Sequence, residues 1–230
     1  MPMVLEIKEK SGKKYGLWIN GERYGRFYPG DLRVLGFSDI SEGQLLELAD
    51  VSLAEFEQNV LLPRAKRRSL FLLGKKEYTG GELKKKLITD GYSDGVVTAV
   101  LAYLSELHYV DDFSYAERYA FSLLSRCSER ELFQKMLQKG LEKDLVKEAL
   151  AAAKERYRFE QEGREESSGS PEQDAIRSFL RKKGYSPDTA DSDKKRKMVA
   201  SLFRKGFSMS DIRKVLGEIE EDFDGQFSEN

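Results

Sequence analysis

Thr79-Gly-Gly-Glu-Leu-Lys-Lys-Lys-Leu-Ile-Thr-Asp-Gly-Tyr92 holds a complete helix between its own start and stop signals. Thr79 followed three residues later by Glu82 forms a capping box, in which hydroxyl and carboxylate each satisfy a backbone N–H that the first turn leaves free. Leu83, Leu87 and Ile88 then fall on one face. Gly91 stops the helix, because glycine enters the left-handed conformation without a Cβ penalty. Ser93 is a candidate cap for the next helix, where Val97, Val100, Leu101 and Leu104 make one apolar stripe.

The pattern recurs twice. Ser128-Glu-Arg-Glu131 is a second capping box, followed by Leu132, Met136 and Leu137, the stop Gly140, and a stripe of Val146, Ala149, Leu150 and Ala153, all shifted by 49 residues. A further shift of 66 residues reaches Met198, Leu202, Phe203, Gly206, Phe207, Ile212, Val215, Leu216 and Ile219, with Ser208 as a cap before Asp211. Helical hairpins often share caps and stops, but here the whole punctuation recurs, which reads as a structural repeat. Such units bury their apolar faces partly against one another. The fold class expected is mainly α: tandem three-helix repeats forming an elongated array, with a small β-rich N-terminal segment.

Upstream of the repeats, Val4–Lys8 and Tyr15–Ile19 are β-prone runs, and Asn20-Gly21 is a two-residue hairpin signal, since both residues accept positive φ. Arg33–Phe37 reads as a further strand. Ser41-Glu-Gly-Gln44 fits a capping box for a short helix over Gln44–Ala49. Ser52 can cap a helix running toward Leu73, which Pro63 should kink or break. Downstream, Gln161–Gln173 is polar and rich in Gly and Ser and reads as a linker, and the acids after Leu216 as a tail. The expected division is 1–51 as a hairpin-containing N-terminal segment, 52–110, 111–160 and 174–223 as three-helix repeats, 161–173 as linker and 224–230 as acidic tail.

Hydrophobic residues make up 40% and charged residues 34% of the 230-residue chain, enough for a core beneath a very polar surface. The formal net charge of −1 argues against a general nucleic-acid coat. Met1–Lys10 lacks the apolar core of a signal peptide, and the most apolar stretch, Val96–Leu107, is too short to span a bilayer. A cytoplasmic protein is expected. His108 and Cys127 are the only histidine and the only cysteine, so no disulfide framework or histidine–cysteine metal cage can form within one chain. Basic Arg126 and Arg130 flank Cys127, but with no histidine nearby in sequence the structural reading is preferred. Asp111-Asp112 could hold a metal or divide acid–base work, yet adjacent carboxylates at a helix start read better as cap and dipole partner. Gly74-Lys75-Lys76 lacks the rest of a phosphate loop. No catalytic residue, metal or cofactor is expected.

The basic clusters carry more information. Nine bases (Arg64, Lys66, Arg67, Arg68, Lys75, Lys76, Lys84, Lys85 and Lys86) stand against Glu77 and Glu82, a local balance of +7. Eight (Lys194, Lys195, Arg196, Lys197, Arg204, Lys205, Arg213 and Lys214) stand against Asp211, again +7. Each block reads either as a solvated helix face or as a contact surface for phosphate or acidic protein. The first fifteen of these bases in chain order, Arg64 to Lys205, are the candidate partner-binding residues.

Arg67-Arg68-Ser69, Glu82–Leu87 ending in Gly91-Tyr92, Tyr109-Val-Asp111-Asp112 with Tyr115-Ala116 and Tyr119, and Glu131-Leu132 through Lys139-Gly140-Leu141 to Ala149-Leu150 together resemble the RecX regulatory family. The resemblance covers about Ser52 to Phe223. It implies a cytoplasmic monomer that binds RecA recombinase filaments on single-stranded DNA. Such a protein restrains strand exchange, ATP hydrolysis and co-protease activity in recombination, DNA repair and the SOS response. The alternative is a direct DNA-binding helical module, since three-helix units with Gly-Tyr turns resemble groove-reading folds.

Overall fold

The computed structural model describes residues 2–161, 169–186 and 190–217. The chain divides into two compact units, Met1–Asp111 and Asp112–Asn230. It is mainly α, with three-helix domains and a small N-terminal antiparallel sheet.

In the first unit, β1 (Met3–Ser11), β2 (Lys14–Ile19), β3 (Glu22–Phe27) and, after a short helix, β4 (Leu45–Leu48) form a sheet of order β3-β2-β1-β4. The β2–β3 hairpin turns at Asn20 (φ 50°) and Gly21 (φ 86°), as the Asn-Gly pair requires. Leu5, Ile7, Leu17, Ile19 and Phe27 point inward and are buried.

Two local expectations are corrected here. Arg33–Phe37 is not a strand: Arg33 and Val34 are the end of α1 (Pro29–Val34), and a turn at Leu35 and Gly36 follows. Pro29 suits a first helical turn, the Asp31 carboxylate accepts the Tyr28 N–H at 3.0 Å, and Gly36 (φ 99°) ends the segment. Gln44–Ala49 is not a helix but contains β4, paired antiparallel with β1. Half of the expected capping box forms, Ser41 N–H to Gln44 Oε1 at 3.4 Å. Gly43 nevertheless takes φ 84°, and the Ile7 N–H bonds to the Gln44 carbonyl at 2.9 Å. The free edge of β1 offers backbone partners that outweigh a short helix.

Ser52 and Glu55 make a reciprocal capping box at the start of α2 (Leu53–Phe56). The helix continues through a π-helical segment, Glu57–Leu61, into α3 (Leu62–Leu73). Pro63 therefore does not break it. The wider turn, with Leu62 N–H bonded to the Glu57 carbonyl, precedes the proline and absorbs its misfit. Glu57, on that turn, accepts hydrogen bonds from the Tyr24 hydroxyl and, at 2.6 Å, from Ser93. This joins β3, the π segment and the backbone at Ser93; burial and the Glu57 carboxylate push the Tyr24 phenol well above its usual range.

The capping box on Thr79 opens α4 (Gly80–Asp90), Gly91 (φ 96°) closes it, and Ser93 caps α5 (Asp94–Glu106). His108 follows in a left-handed conformation (φ 54°), where the Tyr109 N–H returns to the Leu104 carbonyl at 2.9 Å. The sheet residues share one buried cluster with Leu61, Ala65, Leu72, Leu83, Leu87, Val97, Val100 and Leu104. The sheet and the first three-helix domain are thus built on a single core.

The second unit holds two helical triplets. Helices α6 (Asp112–Leu123), α7 (Glu129–Gln138) and α8 (Lys143–Gln161) enclose a core of Ala116, Ala120, Leu132, Met136, Val146 and Ala149. Helices α9 (Pro171–Lys182), α10 (Ser192–Arg204) and α11 (Met209–Leu216) enclose Ala175, Ile176, Leu180, Val199, Leu202, Phe207 and Ile212. Gly140 (φ 80°) and Gly206 (φ 90°) repeat the role of Gly91. Most of the stretch read as a linker, 162–168, lies outside the described residues, as do Ile219 and the acidic tail; α9 itself begins at Pro171. Among the described residues no helix is long and apolar enough to cross a membrane.

Candidate partner-binding surface

Four bases of the first block lie on α3, and helical spacing sends them in two directions. Arg64, Arg67 and Arg68 share one side; Lys66 lies on another, its Nζ 3.7 Å from the ring centroid of Tyr103 on α5. Arg64 pairs with Asp31 of α1 at 2.7 Å and stacks on Phe27, its guanidinium 3.9 Å from the ring centroid. Arg68 pairs with Asp90, the last residue of α4, at 2.8 Å. These two arginines tie α3 to its neighbours. Arg67, between them, is exposed and has no ion-pair partner among the described residues.

Beyond α3, Lys75 lies over Phe71 at 4.4 Å and Lys76 over Tyr78 at 4.2 Å, both exposed. Lys84, Lys85 and Lys86 are exposed on α4 between the buried anchors Leu83 and Leu87.

The second block belongs to the second unit. Lys194 pairs at 3.3 Å with Asp191, which also caps α10. The Lys194 backbone N–H and side chain hold that carboxyl below its usual range. Arg196 and Lys197 are exposed, and Lys195 is half-buried. Arg204 bonds back to the Ala200 carbonyl at 3.3 Å. Lys205 lies over Phe179, its Nζ 5.4 Å from the ring, while its carbonyl accepts the Ser128 hydroxyl at 2.6 Å. Cys127 is half-buried, and the cation that reaches its sulfur is Lys135, at 3.4 Å, rather than the flanking Arg126 or Arg130.

Sequence reasoning missed the contribution of the sheet. Arg64, Arg67 and Arg68 line a depression of about 310 Å³ together with Lys14 of β2 and Arg26 of β3. Its aromatic surface comes from Tyr28, Phe71 and Tyr92, and its acids are Asp31 and Asp90. Burial raises the Tyr92 phenol, opposed by the neighbouring Arg64. Alternation along the strands was the one available signal, since it places Lys14 and Arg26 off the apolar face. Nothing local in the sequence joins them to α3.

Two of the helical triplets coincide with known domains. Residues 171–216, which are α9–α11, match the profile described as RecX, third three-helix domain, and residues 65–104, within α3–α5, match RecX, first three-helix domain. The regulatory protein RecX of Chromobacterium violaceum is 30% identical over 159 residues, covering 69% of this chain and 93% of that protein. This chain belongs to the RecX family. RecX of Clostridium tetani is 22% identical over 218 residues, or 94% of this chain and 92% of its own length. A crystal structure of regulatory protein RecX aligns with a TM-score of 0.52 over 94% of this chain and 98% of that one, at 16% identity, which shows a shared fold.

Proposed function

We propose that this chain binds RecA recombinase filaments on single-stranded DNA and restrains their activity: strand exchange, ATP hydrolysis and co-protease function. Membership of the RecX regulatory family, shown by the Chromobacterium relative, carries this reading. The exposed bases Arg67, Lys84, Lys85 and Lys86 on the first unit and Arg196 and Lys197 on the second support it. They are available to acidic protein or phosphate. Several three-helix domains on one chain can each contribute a weak contact, and linkage raises their effective concentration.

Co-sedimentation with RecA–single-strand filaments, with ATPase followed in parallel, is the test. The chain pellets with filaments and ATPase falls. Reversing Arg67, Lys84 and Lys85 together weakens both effects. Arg68 is left intact in this variant because its reversal would break the pair with Asp90. A chain that stays in the supernatant while ATPase runs unchanged refutes the reading.

A further inference from the structure

The depression between the sheet and α3 has an electrostatic arrangement that its lining charges alone conceal. Five bases and two acids line it. Both acids are engaged, Asp31 by Arg64 at 2.7 Å and Asp90 by Arg68 at 2.8 Å. That leaves Lys14, Arg26 and Arg67 as three cations without an ion-pair partner among the described residues, supplied by β2, β3 and α3. A concave site with converging cations from separate elements attracts an anion more strongly than a row of lysines along one helix.

Two aromatic rings flank these cations with much of their surface in solvent: Phe71 is 56% and Tyr28 50% exposed. Each already has a cation near its ring, Lys75 at 4.4 Å from Phe71 and Lys14 at 4.9 Å from Tyr28. Cationic grooves with exposed aromatic rings beside them are how proteins hold unpaired nucleotides without reading sequence, the backbone on the charges and the bases on the rings. A duplex keeps its base faces stacked internally and cannot use the rings. An acidic peptide would satisfy the cations, but its Asp and Glu side chains have no aromatic face to stack on Phe71. The volume, about 310 Å³, suits a small group such as one nucleotide rather than a helix.

We propose that this depression is a binding site for a single strand of nucleic acid, holding backbone phosphate at Lys14, Arg26 and Arg67 and stacking bases on Phe71 and Tyr28. The site goes beyond the filament reading, because it acts on a free strand without recombinase.

The test is fluorescence anisotropy of the full chain with a labelled oligothymidylate about 20 nucleotides long, and with a duplex of equal length, across a salt series. The single strand binds roughly tenfold more tightly than the duplex. The combined Lys14→Ala, Arg26→Ala and Arg67→Ala variant binds it at least about tenfold more weakly, and its log affinity–log salt slope is shallower by about 2. Phe71→Ala weakens binding several-fold and leaves that slope unchanged, which separates stacking from charge. None of these four side chains is buried, and thermal melting verifies that each variant is folded. Equal affinity for the duplex, unchanged affinity in the triple variant, or displacement of the oligonucleotide by polyglutamate at matched charge would each overturn the proposal. Because no recombinase is present, that failure leaves the filament reading standing.

Discussion

Gly25 and Gly91 meet backbone to backbone. A Cβ added at Gly91 would lie 2.2 Å from the Gly25 Cα and 2.5 Å from the Tyr24 carbonyl oxygen. The same glycine that ends α4 in the left-handed conformation is therefore also where β3 seats on the helical domain. A side chain there suffers twice, from its φ of 96° and from the lost approach. Gly91→Ala should destabilise the first unit by at least about 2 kcal/mol. Gly12→Ala, at φ 61° with open space around it, should cost only about 1 kcal/mol. Urea denaturation of both variants checks the contrast, and equal losses would mean that the close approach is unimportant.

Arg64 and Arg68 sit one helical turn apart and make pairs of similar length, yet they differ in worth. The Arg64 side chain is 17% exposed and packs on Phe27, whereas that of Arg68 is 36% exposed. A double-mutant cycle on Arg68 and Asp90 should return about 0.5 kcal/mol, typical of an exposed pair. The cycle on Arg64 and Asp31 should return about 1–2 kcal/mol, and high salt should weaken it less. Coupling that is larger for the Arg68 pair would contradict the ranking by burial.

These relationships mark the boundary of what the sequence discloses. The capped starts and glycine stops at Thr79–Gly91, Ser128–Gly140 and Gly206 are local signals that the structure follows, except that the Glu131 carboxylate pairs with Lys135 at 2.7 Å, so Ser128 caps by its own hydroxyl. The first helix of each triplet carries a weaker apolar signal because much of its buried face is small or polar: Ala65 and Ser69 beside Leu72 in α3, Ala116 and Ala120 in α6, Gln173 and Ala175 beside Ile176 and Leu180 in α9. Such residues leave little trace in an apolar pattern. In α1 and β4 local propensity was overruled by non-local pairing to β1 and by backbone turns at Gly36 and Gly43. The candidate surface was half legible. Its α3 bases form a visible run, but Asp31 and Asp90, which neutralise two of them, are 33 and 22 residues away in the chain. Lys14 and Arg26 reach the site only through the fold.

Within the second unit, Ser128 serves two helices at once. Its hydroxyl oxygen accepts the Glu131 N–H at 3.2 Å, capping α7, and the hydroxyl donates to the Lys205 carbonyl at 2.6 Å, at the end of α10. The side chain is fully buried. Ser128→Ala should therefore cost about 2 kcal/mol, more than an isolated cap, because it also strips the part-buried Lys205 carbonyl of this partner. Amide hydrogen exchange should accelerate in both α7 and α10 and stay unchanged in α4 and α5. Acceleration confined to α7 would reduce Ser128 to a cap alone.

Glu172 gives the second unit a pH signature. Burial raises its pKa above the usual carboxylate value, and the nearby Asp211 and Glu129 add to the rise; Lys154 opposes it. A carboxyl whose folded pKa exceeds its unfolded one binds more protons when folded. It therefore costs stability once pH rises above that folded value, and the cost disappears below the unfolded value. Asp211 acts in the opposite sense. Burial raises it, but hydrogen bonds from Ser208, Gln173 and Ser170 together bring it below normal, so its contribution is kept near neutrality and lost in acid. Glu172→Gln should remove only the first effect. The variant should melt at a higher temperature than the parent at pH 7, and the difference should shrink as pH falls through the Glu172 titration toward 4.5, the ordinary value for the side chain. A melting difference independent of pH would show that Glu172 is not titrating under strain.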